Sequence, residues 1–324
     1  MFKVQENMCE ASEFDSIVIS GGGSRGIVAL GILYYHHCIT GRLKIANIKH
    51  IAGTSIGSAI SLLLVCGYSP RGIYNKMKML LANGTLFMGD TKKSGTLAGL
   101  LSVYTNEGLL SLDSFGSQLE TLVLEKMNVK EVPTMKQLYE RSGIHLSICV
   151  SNVTLMKEMR IDHITEPNLP VTEAVKMSCA VPIVFQKMSY KGHCVADGGL
   201  VNNFPWRYVP EKGNILGVLI SDAFTTKGAM SMREYDTGDD KPDAFLTYIY
   251  NVMLLPMASL ARLQRMDAYT SPNMEVIRAI WNRVHMLRLT LTEREMKDMF
   301  DHGIKTAYIS TITIKLFIEG IDSL

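Results

Sequence analysis

One serine in this chain of 324 residues lies in a setting that could make it a nucleophile. The segment Gly53-Thr54-Ser55-Ile56-Gly57 follows a short run of strand-forming residues and precedes an apolar, helix-like segment. A G-x-S-x-G turn between a strand and a helix holds its serine on a sharp corner with the hydroxyl exposed. The helix N-terminus beside the serine stabilises developing negative charge. The pattern therefore predicts a nucleophile at Ser55; a glycine-rich turn that binds phosphate, or only packs tightly, is the alternative interpretation.

A second glycine-rich segment follows the first predicted strand. It consists of Gly21, Gly22, Gly23, Ser24, Arg25 and Gly26. The spacing fits a dinucleotide-binding loop, but that function needs an acidic residue about 20 positions further on, and none occurs before Asp90. No Gly-Lys-Ser/Thr follows, which excludes a P-loop. We therefore expect an oxyanion hole in which the N–H groups of Gly22 and Gly23 converge on one oxygen. Arg25 would fix the loop or meet a phosphate, unless it is an ordinary surface cation.

The third motif is Asp197-Gly198-Gly199, which by itself usually indicates a turn and gains weight only beside the other two. An α/β-hydrolase would place a catalytic histidine late in the chain. Among the eight histidines, His285 and His302 come late enough, but neither lies in a glycine-flanked loop suited to a catalytic base. No spacing of His, Cys, Asp and Glu indicates a metal site.

The elements that must position these motifs alternate between strands and helices. Residues 14–20 and 49–53 have the composition of buried strands, and residues 27–38 and 58–66 that of apolar helices. Together they predict a βαβα unit with a right-handed crossover. Further strands are predicted at 143–150 and 214–220, a short helix at 173–179, and a hairpin between 184 and 196.

The regions outside this core are less regular. We expect residues from about 70 to 140 to form a mobile cap with a helix at 113–125, an ordinary helical layer being the alternative. A polar loop should span 225–241, followed by helices at 244–265 and 273–282 and a last strand at 284–290. Thr292 to Glu295 forms a capping box, which predicts a helix that ends at Gly303.

The composition, with 47% hydrophobic and 20% charged residues, indicates a sizeable buried core. The net charge of +2 favours no particular partner, but no acid occurs between Asp15 and Asp90, where seven Lys and Arg residues lie. This stretch is either a chance feature of a buried sheet or a positive field around an anion or an anionic membrane. Six cysteines without a C-x-x-C pair are interpreted as core residues of a reducing compartment.

The three motifs, in this order, resemble those of the patatin-like phospholipases, G-G-G-x-[RK]-G, G-x-S-x-G and D-G-[GA]. The resemblance extends from about residue 14 to 209 and includes the segments 176–182 and 197–205. It implies an α/β fold with three α/β/α layers, a mainly parallel central sheet, and a helical or loop cap. It also implies a dyad in which Ser55 is the nucleophile and Asp197 the base. The reaction would be phospholipase A hydrolysis of glycerophospholipid acyl esters through an acyl-enzyme, with no cofactor.

The resemblance also shapes the expected organisation of the chain. We expect a polar tail at 1–13, a catalytic core at 14–224, and a C-terminal helical region at 225–324 that completes the same domain. Neither a signal peptide nor an apolar run of about 18 residues is present, so we expect a cytoplasmic protein that makes peripheral membrane contact. The partners would be phospholipid or another acyl-ester lipid, and no nucleic acid. A catalytically silent lipid-binding or scaffold protein, and a nucleotide- or phosphate-binding module, remain as alternatives.

Overall fold

A computed structural model describes residues 12–82, 110–221, 244–281 and 291–321. Within these residues, one mixed sheet of eight strands organises the molecule. The strands are β1 (Ser16–Ile19), β2 (His50–Thr54), β3 (His145–Asn152), β4 (Lys157–Ile161), β5 (Met188–Tyr190), β6 (His193–Asp197), β7 (Ile215–Ser221) and β8 (Met274–Ile280). Neighbouring strands in the order β3-β2-β1-β7-β8 run parallel, whereas β4 and β6 pair antiparallel with β3, and β5 pairs antiparallel with β6.

Helices cover both faces of this sheet. They are α1 (Gly26–Tyr34), α2 (Ile56–Val65), α3 (Pro70–Ala82), α4 (Asp113–Met127), α5 (Met135–Ser142), α6 (Val171–Ser178), α7 (Ala244–Ala268) and α8 (Glu293–Ile321). Strand β1 shows how the two cores form, because Ile17 and Ile19 belong to one apolar cluster and Val18 to the other. Parallel strands buried on both faces are apolar at every position. The structure confirms the three-layer α/β/α fold with a mainly parallel sheet.

The segment predicted as a helix at 273–282 is a strand, so that prediction was wrong. Strand β8 (Met274–Ile280) pairs in parallel with the whole of β7 and extends the sheet by one strand. Its residues Ile277 and Ala279, two positions apart, are buried in the first core. The apolar residues of a short segment can fit both the helical and the strand spacing. Here pairing with the free edge of β7 makes the segment a strand.

The predicted helix end at Gly303 was also wrong, although its start is confirmed. Thr292 and Glu295 form the expected capping box, with Thr292 N–H donating to Glu295 Oε2 at 2.8 Å. Helix α8 then continues to Ile321. A Cβ at Gly303 would collide with the carbonyl oxygen of Val28, and one at Gly31 with that of Phe300. The glycine thus allows α8 to cross α1 closely and does not end the helix.

Several predictions fall on residues outside the described ranges. These are the N-terminal tail, residues 83–109 of the expected cap, the polar loop and the last strand. The described part of the cap region consists of the helices α3, α4 and α5, and the domain boundaries stay a prediction. Among the described residues, no helix is both long and apolar enough to cross a membrane.

Candidate active site

Ser55 occupies the turn between β2, which ends at Thr54, and α2, which begins at Ile56. Its backbone angles are φ 53° and ψ −130°, in a region that residues with a Cβ rarely adopt. The turn lies so close to β1 that a Cβ at Gly57 would be 2.6 Å from the Ser20 carbonyl oxygen. The structure therefore places the G-x-S-x-G motif in the strand–turn–helix context that it predicts, with the turn under local strain.

A buried serine that sequence reasoning missed, Ser178 at the end of α6, holds this turn in place. The Ser55 N–H donates to Ser178 Oγ at 2.8 Å, and the Ser178 hydroxyl donates to the Cys149 carbonyl oxygen at 2.6 Å. On the other side, the Ser58 hydroxyl donates to the Ser55 carbonyl at 2.6 Å. Ser178 thus links the turn to β3. The signal that could have found it is its place in the segment 176–182.

Asp197 ends β6 and is 4% exposed, beside Ser55. Its Oδ1 accepts a hydrogen bond from the Gly199 N–H at 2.7 Å, whereas its Oδ2 has no hydrogen-bond partner in the described part of the chain. Burial raises the pKa of Asp197 to about 6, and interactions with the Ser55 side chain and the Gly199 N–H offset part of that rise. A buried carboxyl oxygen with no partner beside a strained serine is therefore available to accept a proton.

The loop after Asp197 joins all three sequence motifs. The Thr54 hydroxyl donates to the Asn202 carbonyl oxygen at 2.9 Å, and the Gly21 N–H donates to the Asn203 carbonyl oxygen at 3.2 Å. The side-chain oxygen of Asn203 lies against both Gly21 and Gly199. The motifs, which are far apart in the chain, thus meet at one edge of the sheet. The two asparagines were visible only as part of the segment 197–205.

The glycine loop begins where β1 ends and leads into α1. Because the Gly21 N–H is bound to the Asn203 carbonyl oxygen, it is not free to stabilise an oxyanion, which corrects the prediction for Gly21. The N–H groups of Gly22 and Gly23 have no acceptor within the described ranges. Arg25 is 3% exposed, so its interpretation as a surface cation was wrong. Gly22 and Gly23 remain the candidate donors.

The histidines offer no base near Ser55 in the described residues. His50 and His145 stand at the starts of β2 and β3, whereas Ser55 follows the opposite end of β2. His145 Nε2 lies 3.3 Å from Asp162 Oδ2. His36 is fully buried in the turn that extends α1, and burial lowers its pKa to about 3. His285 lies outside the described ranges.

The buried cysteines are equally unsuited to be nucleophiles. Burial raises the pKa of the Cys66 thiol to about 12, and it also raises the pKa values of Cys149 and Cys179. All three therefore stay protonated at neutral pH. The interpretation of the cysteines as core residues holds for these three, but Cys38 is exposed and Cys194 is partly exposed.

The cations of the acid-free stretch are largely neutralised by carboxylates from elsewhere in the chain. Four ion pairs do this: Arg42 with Glu275 at 2.8 Å, Lys76 with Glu125 at 2.9 Å, Lys78 with Glu293 at 3.1 Å, and Lys44 with Glu13. Since Arg25 is buried as well, five of the seven cations are either buried or already paired with an acid of this chain. This favours the interpretation that the stretch is a chance feature of a buried sheet. It argues against a positive field around an anion or a membrane.

A serine on a strand–helix turn, a buried aspartate and a glycine loop at one edge of an α/β/α sheet define a protein of the patatin type. The model of the family described as patatin-like phospholipase matches residues 17–210, and the chain belongs to this family.

Three similar proteins accompany this match. The chain is 32% identical over 200 residues to the probable lipid hydrolase 463L of Invertebrate iridescent virus 6, covering 59% of this chain and 62% of that protein's length. It is 24% identical over 261 residues to the uncharacterized protein YqhO of Bacillus subtilis, covering 74% and 86%. The structure of VipD from Legionella pneumophila has a TM-score of 0.55 at 17% identity and covers 94% of this chain and 67% of that one. This last likeness concerns the fold alone.

Proposed function

We propose that this protein is a lipid acyl hydrolase in which Ser55 is the nucleophile and Asp197 the general base. The observation that carries the proposal is the Oδ2 of buried Asp197, which has no hydrogen-bond partner among the described residues and lies beside the strained turn of Ser55. Unpartnered buried polar atoms and strained serines are both unfavourable to folding, so their coincidence points to a functional site. Membership of the patatin-like phospholipase family supports a lipid as the substrate.

The acylation step follows from these positions. Ser55 Oγ attacks the ester carbonyl carbon while its proton passes to Asp197 Oδ2. The carbonyl oxygen becomes an anion, for which Gly22 and Gly23 supply N–H donors and the start of α2 supplies a positive dipole end. Collapse of this intermediate breaks the ester bond, and Asp197 returns the proton to the leaving alcohol. Ser55 then carries the acyl chain.

Deacylation uses the same groups in the same roles. A water molecule gives a proton to Asp197 and attacks the acyl carbonyl, and the returning proton releases Ser55 and a fatty acid. With a pKa near 6, Asp197 is mostly ionised at pH 7 yet is a stronger base than an exposed aspartate. It is still a weak base for a hydroxyl. The oxyanion donors must therefore lower much of the activation barrier. Each such donor typically raises the rate about 100- to 1,000-fold.

The substrate class is the finer part of the proposal. We infer a phospholipase A that cleaves acyl esters of glycerophospholipids, in line with the family description. The viral relative is described as a probable lipid hydrolase, which supports an acyl-ester lipid without specifying its head group.

The test is product analysis by mass spectrometry after incubation with mixed-lipid vesicles. Wild-type protein should release fatty acid and lysophospholipid, and Ser55→Ala should release neither. Ser61→Ala is a matched control, because Ser61 lies buried in α2, the helix that follows Ser55, and its hydroxyl has no hydrogen-bond partner among the described residues. A serine-directed fluorophosphonate should label wild type and Ser61→Ala but not Ser55→Ala.

Two outcomes would contradict the proposal. Equal product release by wild type and Ser55→Ala would exclude Ser55 as the nucleophile. A folded wild-type protein that is neither labelled nor active on any acyl ester would favour the alternative of a catalytically silent lipid-binding protein.

A further inference from the structure

Helix α7 lies directly on the loop that carries the Asp197 motif. The methyl group of Met257 reaches Gly199, lying 3.4 Å from the position that a Cβ there would take. Two turns further on, Gln264 Nε2 donates to the Val201 carbonyl oxygen at 3.0 Å. Ala268, at the end of the helix, is fully buried in the second core. The inner face of α7 therefore forms part of the support of the candidate active site.

The outer face of the same helix, together with the residue that follows its last turn, presents large apolar side chains to solvent. They are Val252, Leu255, Leu263, Met266 and Tyr269, with exposed fractions of 50%, 70%, 65%, 58% and 53%. At 100° per residue these positions fall on one side of the helix, opposite Met257 and Gln264. Exposed large apolar side chains gathered on one side of a helix in this way mark an interaction surface. We call these five residues the outer stripe.

Positive charge accompanies the outer stripe. Arg262 is exposed among its residues, and Arg265 stands next to it on the helix. Burial, followed by the positive charges of Arg278 on β8 and of Arg262, lowers the pKa of Arg265. Within the described part of α7 the acid Asp267 is already paired, at 2.7 Å, with Arg207. Apolar residues and cations that form no ion pair within the described ranges thus share one surface.

We propose that the outer stripe and Arg262 and Arg265 dock this protein on an anionic lipid bilayer. Apolar side chains would enter the boundary between head groups and acyl chains, and the guanidinium groups would meet the anionic head groups. A lipid surface fits better than a protein partner because the stripe combines exposed large apolar side chains with cations on a helix that supports the Asp197 loop. The proposal rests on the proposed function, since it assigns the surface from which that site would receive its substrate.

Vesicle co-sedimentation tests the proposal, and it is best carried out in the Ser55→Ala background so that the vesicles are not consumed. The probes are vesicles of phosphatidylcholine alone and of equal parts phosphatidylcholine and phosphatidylglycerol. We expect the protein to prefer the anionic vesicles and to bind less at high salt. Since each cation near the surface contributes about fivefold in affinity, Arg262→Glu should weaken anionic binding by about 25-fold. Leu263→Asp should weaken it by at least about tenfold.

Matched controls lie on the opposite edge of the sheet. Ile164, 69% exposed, follows β4 beside the start of β3, and Lys136 is exposed on α5. Ile164→Asp and Lys136→Glu change the same chemistry away from α7 and should bind vesicles like the parent protein. With Ser55 restored, Arg262→Glu and Leu263→Asp should still hydrolyse a soluble short-chain ester at the wild-type rate.

Distinct outcomes would overturn this proposal. Equal binding to both vesicle types, or loss of binding in the controls as much as in the α7 variants, would exclude this surface. A lowered melting temperature in Leu263→Asp would mean that the stripe is packed inside the protein, and a dimer dissociated by Leu263→Asp would assign it to a second copy of this chain. If no ester is hydrolysed but binding still depends on α7, the proposed function fails and the docking surface stands.

Discussion

Replacing Asp197 with asparagine should make the protein more stable at alkaline pH while removing its activity. Burial raises the pKa of Asp197 from an ordinary value of 3.8 to about 6, so the ionised carboxylate is disfavoured in the folded protein. A difference of about two pH units corresponds to about 3 kcal/mol. Below pH 4 the carboxyl is protonated both in the folded and in the unfolded chain, and the penalty is absent. As the pH rises through 6 the penalty appears in full, whereas asparagine avoids it at every pH.

The measurement is urea unfolding of wild type and Asp197→Asn at pH 4 and pH 8. The stability advantage of the variant should grow by up to about 3 kcal/mol between these two values. Asp162→Asn is a control of opposite sign. Burial acts to raise the pKa of Asp162, but hydrogen bonds from His145 and two backbone N–H groups, together with the Arg160 charge, hold it well below its usual range. Asp162→Asn should therefore lose stability by a similar amount at pH 8 and pH 4, because the stabilisation from a lowered carboxyl pKa fades only below the ordinary value of 3.8.

Activity measurements complete this test. The kcat/KM of the wild type should rise with pH with a midpoint near 6, because only ionised Asp197 can accept the Ser55 proton. Asp197→Asn should be folded and almost inactive. If the stability of Asp197→Asn relative to wild type does not increase between pH 4 and pH 8, the carboxylate is not a costly buried charge. Near-normal activity of Asp197→Asn would mean that another group is the base.

Two further predictions concern the scaffold. Ser178→Ala should destabilise the protein by about 1–3 kcal/mol, because it leaves the Ser55 N–H unpaired, and it should lower kcat more than it raises KM; unchanged kcat would show that Ser178 does not position the turn. Gly303→Ala should lower the melting temperature strongly because its Cβ meets the Val28 carbonyl oxygen. Gly72→Ala, at a roomier site in α3, serves as its control and should be neutral or slightly stabilising.

The parts of the site that sequence predicted are those encoded locally. The turn at Ser55 needs a strand, two flanking glycines and a helix within about fifteen residues, so its pattern is legible in the chain. Ser178 and Asn203 could not be read in this way. Their roles depend on hydrogen bonds to residues more than a hundred positions away, at Ser55 and Gly21. Only the folded chain shows which backbone groups they meet.

The mispredicted elements failed for a related reason. Residues of β8 carry an apolar pattern short enough to fit a helix, and the available edge of β7 decides the outcome. Gly303 looked like a helix end because glycine is common there, but its function is to admit α1. In both cases a contact between distant segments overrides the local preference. The core β1–α1–β2–α2 unit was predicted correctly because its strands and helices are strongly apolar and contiguous.

Three locally unfavourable features coincide at the edge of the sheet where the motifs meet. They are the positive φ of Ser55 and, among the residues that the structure describes, a carboxyl oxygen of Asp197 and the N–H groups of Gly22 and Gly23 that have no partner. Backbone strain at Ser55 and buried unpaired groups at Asp197 and Gly22 each cost about 1–3 kcal/mol, and a scaffold under no other demand would lose them readily. Because each is a group that the proposed acyl transfer requires, as nucleophile, base or oxyanion donor, a catalytic function accounts for all three together. A packing role would instead leave each of them as a separate defect.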